Sequence, residues 1–171
     1  MFEDKGSALI EAIKSGRAIL LLGAGFSSEI ENRPGHYIPR AGELTESLKS
    51  HFSIPTNAGL DETFNALKEL NPQTVSSFLE QELCVKDFNS IPKVYHVLTR
   101  LPWRRIYTLN FDNVLSLLAE TLNPELKIKF FGKGNASLIR DDEKIIYLNG
   151  KLPIKSFDDI TITRKDRKSV V

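Results

Sequence analysis

Three short stretches of this 171-residue chain hold residue types that can do chemistry. The first is Gly23-Ala24-Gly25-Phe26-Ser27, which closes the apolar run Ala18-Ile19-Leu20-Leu21-Leu22. Its glycines let the backbone turn sharply and lie close against a ligand. A helix starting near Phe26 or Ser27 would aim its free N–H groups and its dipole at that loop, a site for phosphate or pyrophosphate. The second stretch is Thr108-Leu109-Asn110-Phe111-Asp112, after the β-rich Arg105-Ile106-Tyr107. The third is Leu148-Asn149-Gly150, after Lys144-Ile145-Ile146-Tyr147. Carbonyl and carboxylate dipoles of this kind stabilise developing positive charge. In open α/β sheets, ligands bind outside the carboxyl ends of the strands. Polar residues placed after three buried strands therefore converge on one crevice.

Each stretch also has a plainer reading. Gly-x-Gly after a strand is a tight turn that packs well. Asn110 and Asp112 suit a turn and a helix N-cap. Asn149-Gly150 suits a simple turn. The dinucleotide fingerprint of dehydrogenases is incomplete, because Ser28 stands where its third glycine belongs and no acidic residue ends a second strand about 20 residues on. The phosphate loop of NTPases is absent too, since no Gly-Lys-Ser/Thr follows.

The elements that must position these residues are legible from periodicity. Ser7 can cap a first helix in which Leu9, Ile10 and Ile13 share one face, and Gly16 can end it. The run Ala18–Leu22 reads as a strand buried on both faces. Residues 31–40, polar and with two prolines, read as a loop over the ligand site. Leu44, Leu48 and Phe52 mark a helix, and Leu60, Phe64 and Leu67 another. A third starts at Pro72 with Val75, Phe78, Leu79 and Leu83 inward. These form a helical insert over about residues 42–100, completed by a helix capped by Ser90 with Val94, Tyr95, Val97 and Leu98 inside. Strands follow at 105–109, 127–131 and 144–148, with a possible fifth at 159–163. Asp112 can cap the helix carrying Val114, Leu115, Leu117 and Leu118. The expected fold is α/β: a Rossmann-like three-layer single domain over 1–171, with a mostly parallel sheet and the helical insert between its first two core strands.

Hydrophobic residues make up 41% and charged residues 26%, as in an ordinary globular protein, and the length suits one domain with a real core. The net charge of +1 argues for neither nucleic acid nor an anionic membrane as partner. The single cysteine, Cys84, excludes an intrachain disulfide framework and points to the reducing cytoplasm. No apolar run approaches the roughly 20 residues that span a bilayer. No His/Asp/Glu spacing suggests a metal site. The basic end, residues 164–171, lacks a closing element, which suggests a piece of something longer.

Taken together and in order, the three motifs resemble the sirtuin family, closest to the zinc-free sirtuin-like domains of bacterial antiphage defence proteins. Leu22 to Ser27 resembles their first motif, and Pro39-Arg40-Ala41-Gly42-Glu43-Leu44 the start of the following helix. Ile106 to Asp112 resembles their second motif. Tyr147-Leu148-Asn149-Gly150 aligns with their His-Gly motif, and 159–163 with the segment soon after it. The resemblance runs from about residue 8 to the end. It implies a Rossmann-like fold binding NAD and hydrolysis of the nicotinamide–ribose bond in antiphage defence. The implied NAD contacts are Gly23, Ala24, Gly25, Phe26, Ser27, Thr108 and Gly150. Ser27 and the amides of residues 24–26 would hold pyrophosphate and ribose, Asn110 the nicotinamide ribose or attacking water, and Asp112 the carboxamide side. The implied partners are NAD+, a further domain of the same protein or a second copy, and a phage or defence-system protein.

Three departures shape that implication. Asn149 stands at the catalytic His, whether as a natural replacement or an engineered one that holds NAD intact. It can hydrogen-bond but cannot take a proton as His does near neutral pH. With only Cys84, there is no four-cysteine zinc module and so no expected deacylase activity. A sensor of NAD or ADP-ribose without catalysis, or an oligomerisation domain, is the alternative. The family's further strands and helices are also absent after Val171. Elsewhere, His36, His51 and His96 suit exposed or satisfied positions, Phe130 and Phe131 suit the core, and Trp103-Arg104-Arg105 an anchored turn. Lys133 and Lys151 are candidates to face an anionic ligand.

Overall fold

The computed structural model describes residues 3–55, 57–131 and 139–161. Four parallel strands form the main sheet: β1 (Ile19–Leu22), β4 (Arg105–Thr108), β5 (Lys127–Phe130) and β6 (Glu143–Tyr147), in the order β1-β4-β6-β5. Leu22, Thr108 and Tyr147 stand in one row of the register, so the three motifs leave the sheet side by side. A short antiparallel pair, β2 (Glu31–Arg33) and β3 (His36–Tyr37), lies apart from it. Five α-helices occur among the described residues: α1 (Glu3–Lys14), α2 (Ala41–Phe52), α3 (Leu60–Leu67), α4 (Pro72–Leu83) and α5 (Val114–Leu122). This is the Rossmann-like α/β fold expected, with α2–α4 inserted between β1 and β4.

The insert helices match their apolar stripes. Leu44, Leu48, Phe64, Leu67, Val75, Leu79 and Leu83 are all buried in one cluster with Val114 and Leu118 of α5. Asn71 accepts the Gln73 N–H at 2.8 Å and Pro72 opens α4, a paired start signal. A second cluster, with Leu22, Ile106, Leu115, Ala119, Ile145 and Tyr147, seats α5 on one face of the sheet. Each such side chain contributes about 1.5–3 kcal/mol on burial.

Several expectations fail, each for a tertiary reason. β1 is not buried on both faces: it stands at the edge of the sheet formed by the described residues, and Ile19 and Leu21 stay 55% and 63% exposed. A run of apolar residues reports hydrophobicity but not whether both faces find cover. Leu9 and Ile10 of α1 are likewise more than half exposed, and α1 begins before Ser7, which therefore does not cap it. Gly16 does end that helix, at φ +65°. No α-helix follows the glycine loop. Ala24–Phe26 make a single 3-10 turn, closed by Phe26 N–H on the Gly23 carbonyl, and the chain runs on into β2. The expected loop over residues 31–40 holds the β2–β3 pair. Asn32 and Arg33 anchor it by donating to the Gln81 carbonyl at the end of α4. The helix expected from Ser90 is two short 3-10 turns, Phe88–Ser90 and Lys93–Val97, with Val94 and Val97 exposed. Phe130 is 37% exposed at the sheet's end. Of the possible strand at 159–163, Asp159 ends a 3-10 turn and Ile160 makes one isolated bridge to Gly150, while residues 162 and 163 lie outside the described residues, as do Lys133 and residues 164–171. No helix among the described residues is long and apolar enough to cross a membrane.

Candidate functional site

A cavity of about 250 Å³ opens where β1, β4 and β6 end. Gly23 and Ala24 form its floor at the first strand, Asn110 and Asp112 line it from the second, and Asn149 from the third. The insert supplies the opposite wall through Leu44, Leu60, Phe64 and Leu83, and Ala41 brings in the first turn of α2. The sequence-derived convergence is therefore present for five of the named residues. Gly25, Phe26, Ser27, Thr108 and Gly150 stand behind or beside the cavity and do not line it.

The glycine loop is open. A Cβ added at Gly23 or Gly25 would meet nothing within 4 Å, and neither has a positive φ. Packing within the protein therefore does not demand glycine at either position. Phe26 turns away and packs edge-on against Tyr95, with ring centroids 5.2 Å apart.

The second motif is buried and ordered by hydrogen bonds. Thr108 Oγ1 accepts the Asn110 N–H at 3.1 Å, shaping the turn. Asn110 Nδ2 donates to Ser27 Oγ at 3.1 Å, and Ser27 Oγ donates to Asp112 Oδ2 at 2.7 Å. Asp112 Oδ1 accepts the Val114 N–H at 3.0 Å, so its cap-like role at the start of α5 is also real. Burial pushes the Asp112 carboxyl above its ordinary value, opposed by these same donors. Asn149 Nδ2 donates to the Leu109 carbonyl at 2.8 Å, and its backbone carbonyl takes the Thr161 N–H at 3.0 Å. What the two carboxamides and Asp112 chiefly retain for a ligand is acceptor oxygen.

Asn113, which sequence reasoning missed, holds the two halves of the site together. Its carboxamide donates to the Val85 carbonyl at 2.9 Å and accepts the Val85 N–H at 2.8 Å. This pins the end of α4, and with it Leu83, to the start of α5. An Asn directly after an Asn-x-Asp turn was the available signal. Asn113→Ala leaves both buried Val85 groups short of a partner and is expected to cost about 2 kcal/mol in urea denaturation.

The remaining candidates are accounted for. His36 is exposed and does not line the cavity. His51 stacks on Phe78, and His96 on Phe88, but His96 Nε2 is buried without a hydrogen-bond partner and so is not the exposed or satisfied position expected. Cys84 is half-buried and its thiol is pushed up to about 12, first by burial and then by Asp112, which leaves it inert. Trp103 anchors its turn by donating to the Leu98 carbonyl. Lys151 lies over the Phe130 ring at 4.9 Å and 3.8 Å from Glu120. No group of acidic, His or Cys residues among those described could hold a metal. Compared with known proteins, the chain matches no protein-family model and no curated protein.

Proposed function

We propose that this chain is a sirtuin-like domain that binds NAD+, its nicotinamide end in the cavity and its pyrophosphate over the glycine loop. The observation that carries this reading is the lining of the cavity. Asn110, Asp112 and Asn149, which carry oxygen acceptors, line it together with apolar residues, and no Lys or Arg is among the lining residues. A cationic, planar ring bearing N–H donors suits such a chamber, and an anionic group does not. The pyrophosphate instead meets open backbone at Gly23 and Gly25.

The same arrangement favours cleavage of the nicotinamide–ribose bond. As that bond breaks, positive charge develops on the ribose, and acceptors already in place stabilise it without reorganising. The insert wall limits bulk water at the reacting centre. With Asn at position 149 the site has stabilising dipoles but no imidazole base, so the domain is a NAD+ hydrolase in architecture with slow turnover. A specific observation supports the sensor reading as second: Asn149 is tied to the Leu109 carbonyl, which suits holding a ligand better than moving a proton. Antiphage defence as the setting rests on the motif resemblance.

Calorimetry with NAD+ and ADP-ribose on the parent and on Gly23→Ala tests the binding. Gly23 has an extended backbone that alanine also adopts, with open space at its Cβ, so the variant is expected to keep its stability within about 0.5 kcal/mol. Its NAD+ affinity is expected to fall at least about tenfold, because the methyl occupies the ligand's approach. Equal affinity in both proteins would remove the loop from the site.

A further inference from the structure

The Ser27 side chain hydrogen-bonds to both Asn110 and Asp112 of the second motif. It is completely buried, 83 residues from Asn110 and 85 from Asp112 in sequence. Its single proton goes to Asp112 Oδ2 at 2.7 Å, and its oxygen accepts from Asn110 Nδ2 at 3.1 Å. A phosphate could engage this hydroxyl only by taking the donor from a buried carboxylate.

We propose that Ser27 is a positioning residue and not a ligand contact: its hydroxyl donates to the Asp112 carboxyl and holds the Asn110 amide nitrogen, leaving the Asn110 oxygen to the ligand. Burial drives Asp112 toward its neutral form, and the Ser27 hydroxyl leads the hydrogen bonds that oppose this, followed by the Val114 N–H and the Asn110 amide. The titratable groups that feel Asp112 are Cys84 at the end of α4 and Tyr147 on β6. Burial raises both, so both stay protonated and neutral through the ordinary pH range. Glu80 and Lys151 act on Cys84, and Glu120 on Tyr147, while the leading influences on Asp112 are its burial and its hydrogen bonds. A neutral Asp112 would offer the cavity an O–H donor in place of a charged acceptor, and a cationic ring would lose its counter-charge.

The sign follows from linkage. A carboxyl raised in the folded state binds its proton more tightly there than in the unfolded chain, so stability falls as pH rises from the ordinary carboxyl range to the folded midpoint. Removing the Ser27 donor moves that midpoint higher still. The destabilisation of Ser27→Ala relative to the parent therefore grows with pH until the variant's own midpoint is passed.

The test is carboxyl NMR on 13C-aspartate-labelled protein without ligand, with the Asp112 signal assigned by its loss in Asp112→Asn. The midpoint is expected at higher pH in Ser27→Ala, and also in Ser27→Cys, a near-isosteric change to a weak donor that is read alone if the alanine variant does not fold. The pH below which NAD+ binding is lost should move upward with it. An unchanged midpoint in the folded variant overturns the proposal. The proposal takes its ligand from the NAD+ reading, but the two fail separately: a shifted midpoint in a protein that ignores NAD+ leaves Ser27 in its role and removes the ligand, while NAD+ binding with an unshifted midpoint does the reverse.

Discussion

Asn149→His is expected to release nicotinamide from NAD+ about 10²- to 10⁴-fold faster than the parent chain, the range that a positioned general base contributes. The position is prepared for it. Asn149 lines the cavity, its backbone carbonyl is fixed by the Thr161 N–H, and Asn110 and Asp112 line the same chamber. Asn149 Nδ2 already donates to the Leu109 carbonyl at 2.8 Å. An imidazole there can make the same bond with its Nδ1–H. That bond selects the tautomer with a bare Nε2, the form able to take a proton from a ribose hydroxyl or water near neutral pH. Chromatography of nicotinamide and ADP-ribose over time measures the gain, and calorimetry on the same protein measures binding. A His variant that binds NAD+ as the parent does yet releases no nicotinamide would sink the hydrolase architecture and leave the sensor reading.

The parts legible in the sequence are those governed by local pattern. Leu44-Leu48-Phe52 and Val75-Leu79-Leu83 give helices because their spacing fixes a face, and the runs ending at Thr108 and Tyr147 give strands because β-branched and aromatic residues crowd them. Their alternation then yields the parallel sheet, and the sheet puts Gly23, Asn110 and Asn149 at one end. What stayed hidden depends on contacts between distant residues. Nothing in Ile19-Leu20-Leu21-Leu22 says that among the described residues only one edge of the strand pairs, or that Ile19 and Leu21 stay exposed. Phosphate binding at a helix N-terminus was expected after Gly25, but that helix does not form. The sirtuin resemblance implies that Ser27 holds pyrophosphate and ribose, and nothing in the sequence around it points to its hydrogen bonds with Asn110 and Asp112. The neighbours that matter, Asn110 and Asp112, sit more than 80 residues away. Asn113 escaped notice for the same reason, since its partner is Val85.

Gly150→Ala is expected to cost about 4 kcal/mol or more, at the upper end for single substitutions, and to lower the melting temperature by roughly 8–16 °C for a chain of this size. Gly150 sits at φ +87°, where an L-residue with a Cβ is strained. The added Cβ would also run into the Asp159 carbonyl oxygen, a backbone atom. The Asp159 carbonyl carbon and Ile160 Cα, each 3.1 Å away, are backbone too, so no rotamer change relieves the contact. The segment must move, and several bonds move with it. The Gly150–Ile160 bridge opens, the Thr161 N–H leaves the Asn149 carbonyl, and Ile160 leaves its buried place in the core beside Leu152 and Ile154. Loss of the site should therefore accompany loss of stability, measured together by urea denaturation and NAD+ calorimetry. The contrast with Gly23→Ala makes the expectation sharp. The same methyl group falls into open space at one glycine and onto backbone at the other, so the first should weaken binding with the fold intact and the second should weaken the fold itself. A Gly150→Ala protein melting within about 1 °C of the parent would mean that the Asp159–Thr161 segment shifts without cost, and that it does not hold Asn149 in the cavity.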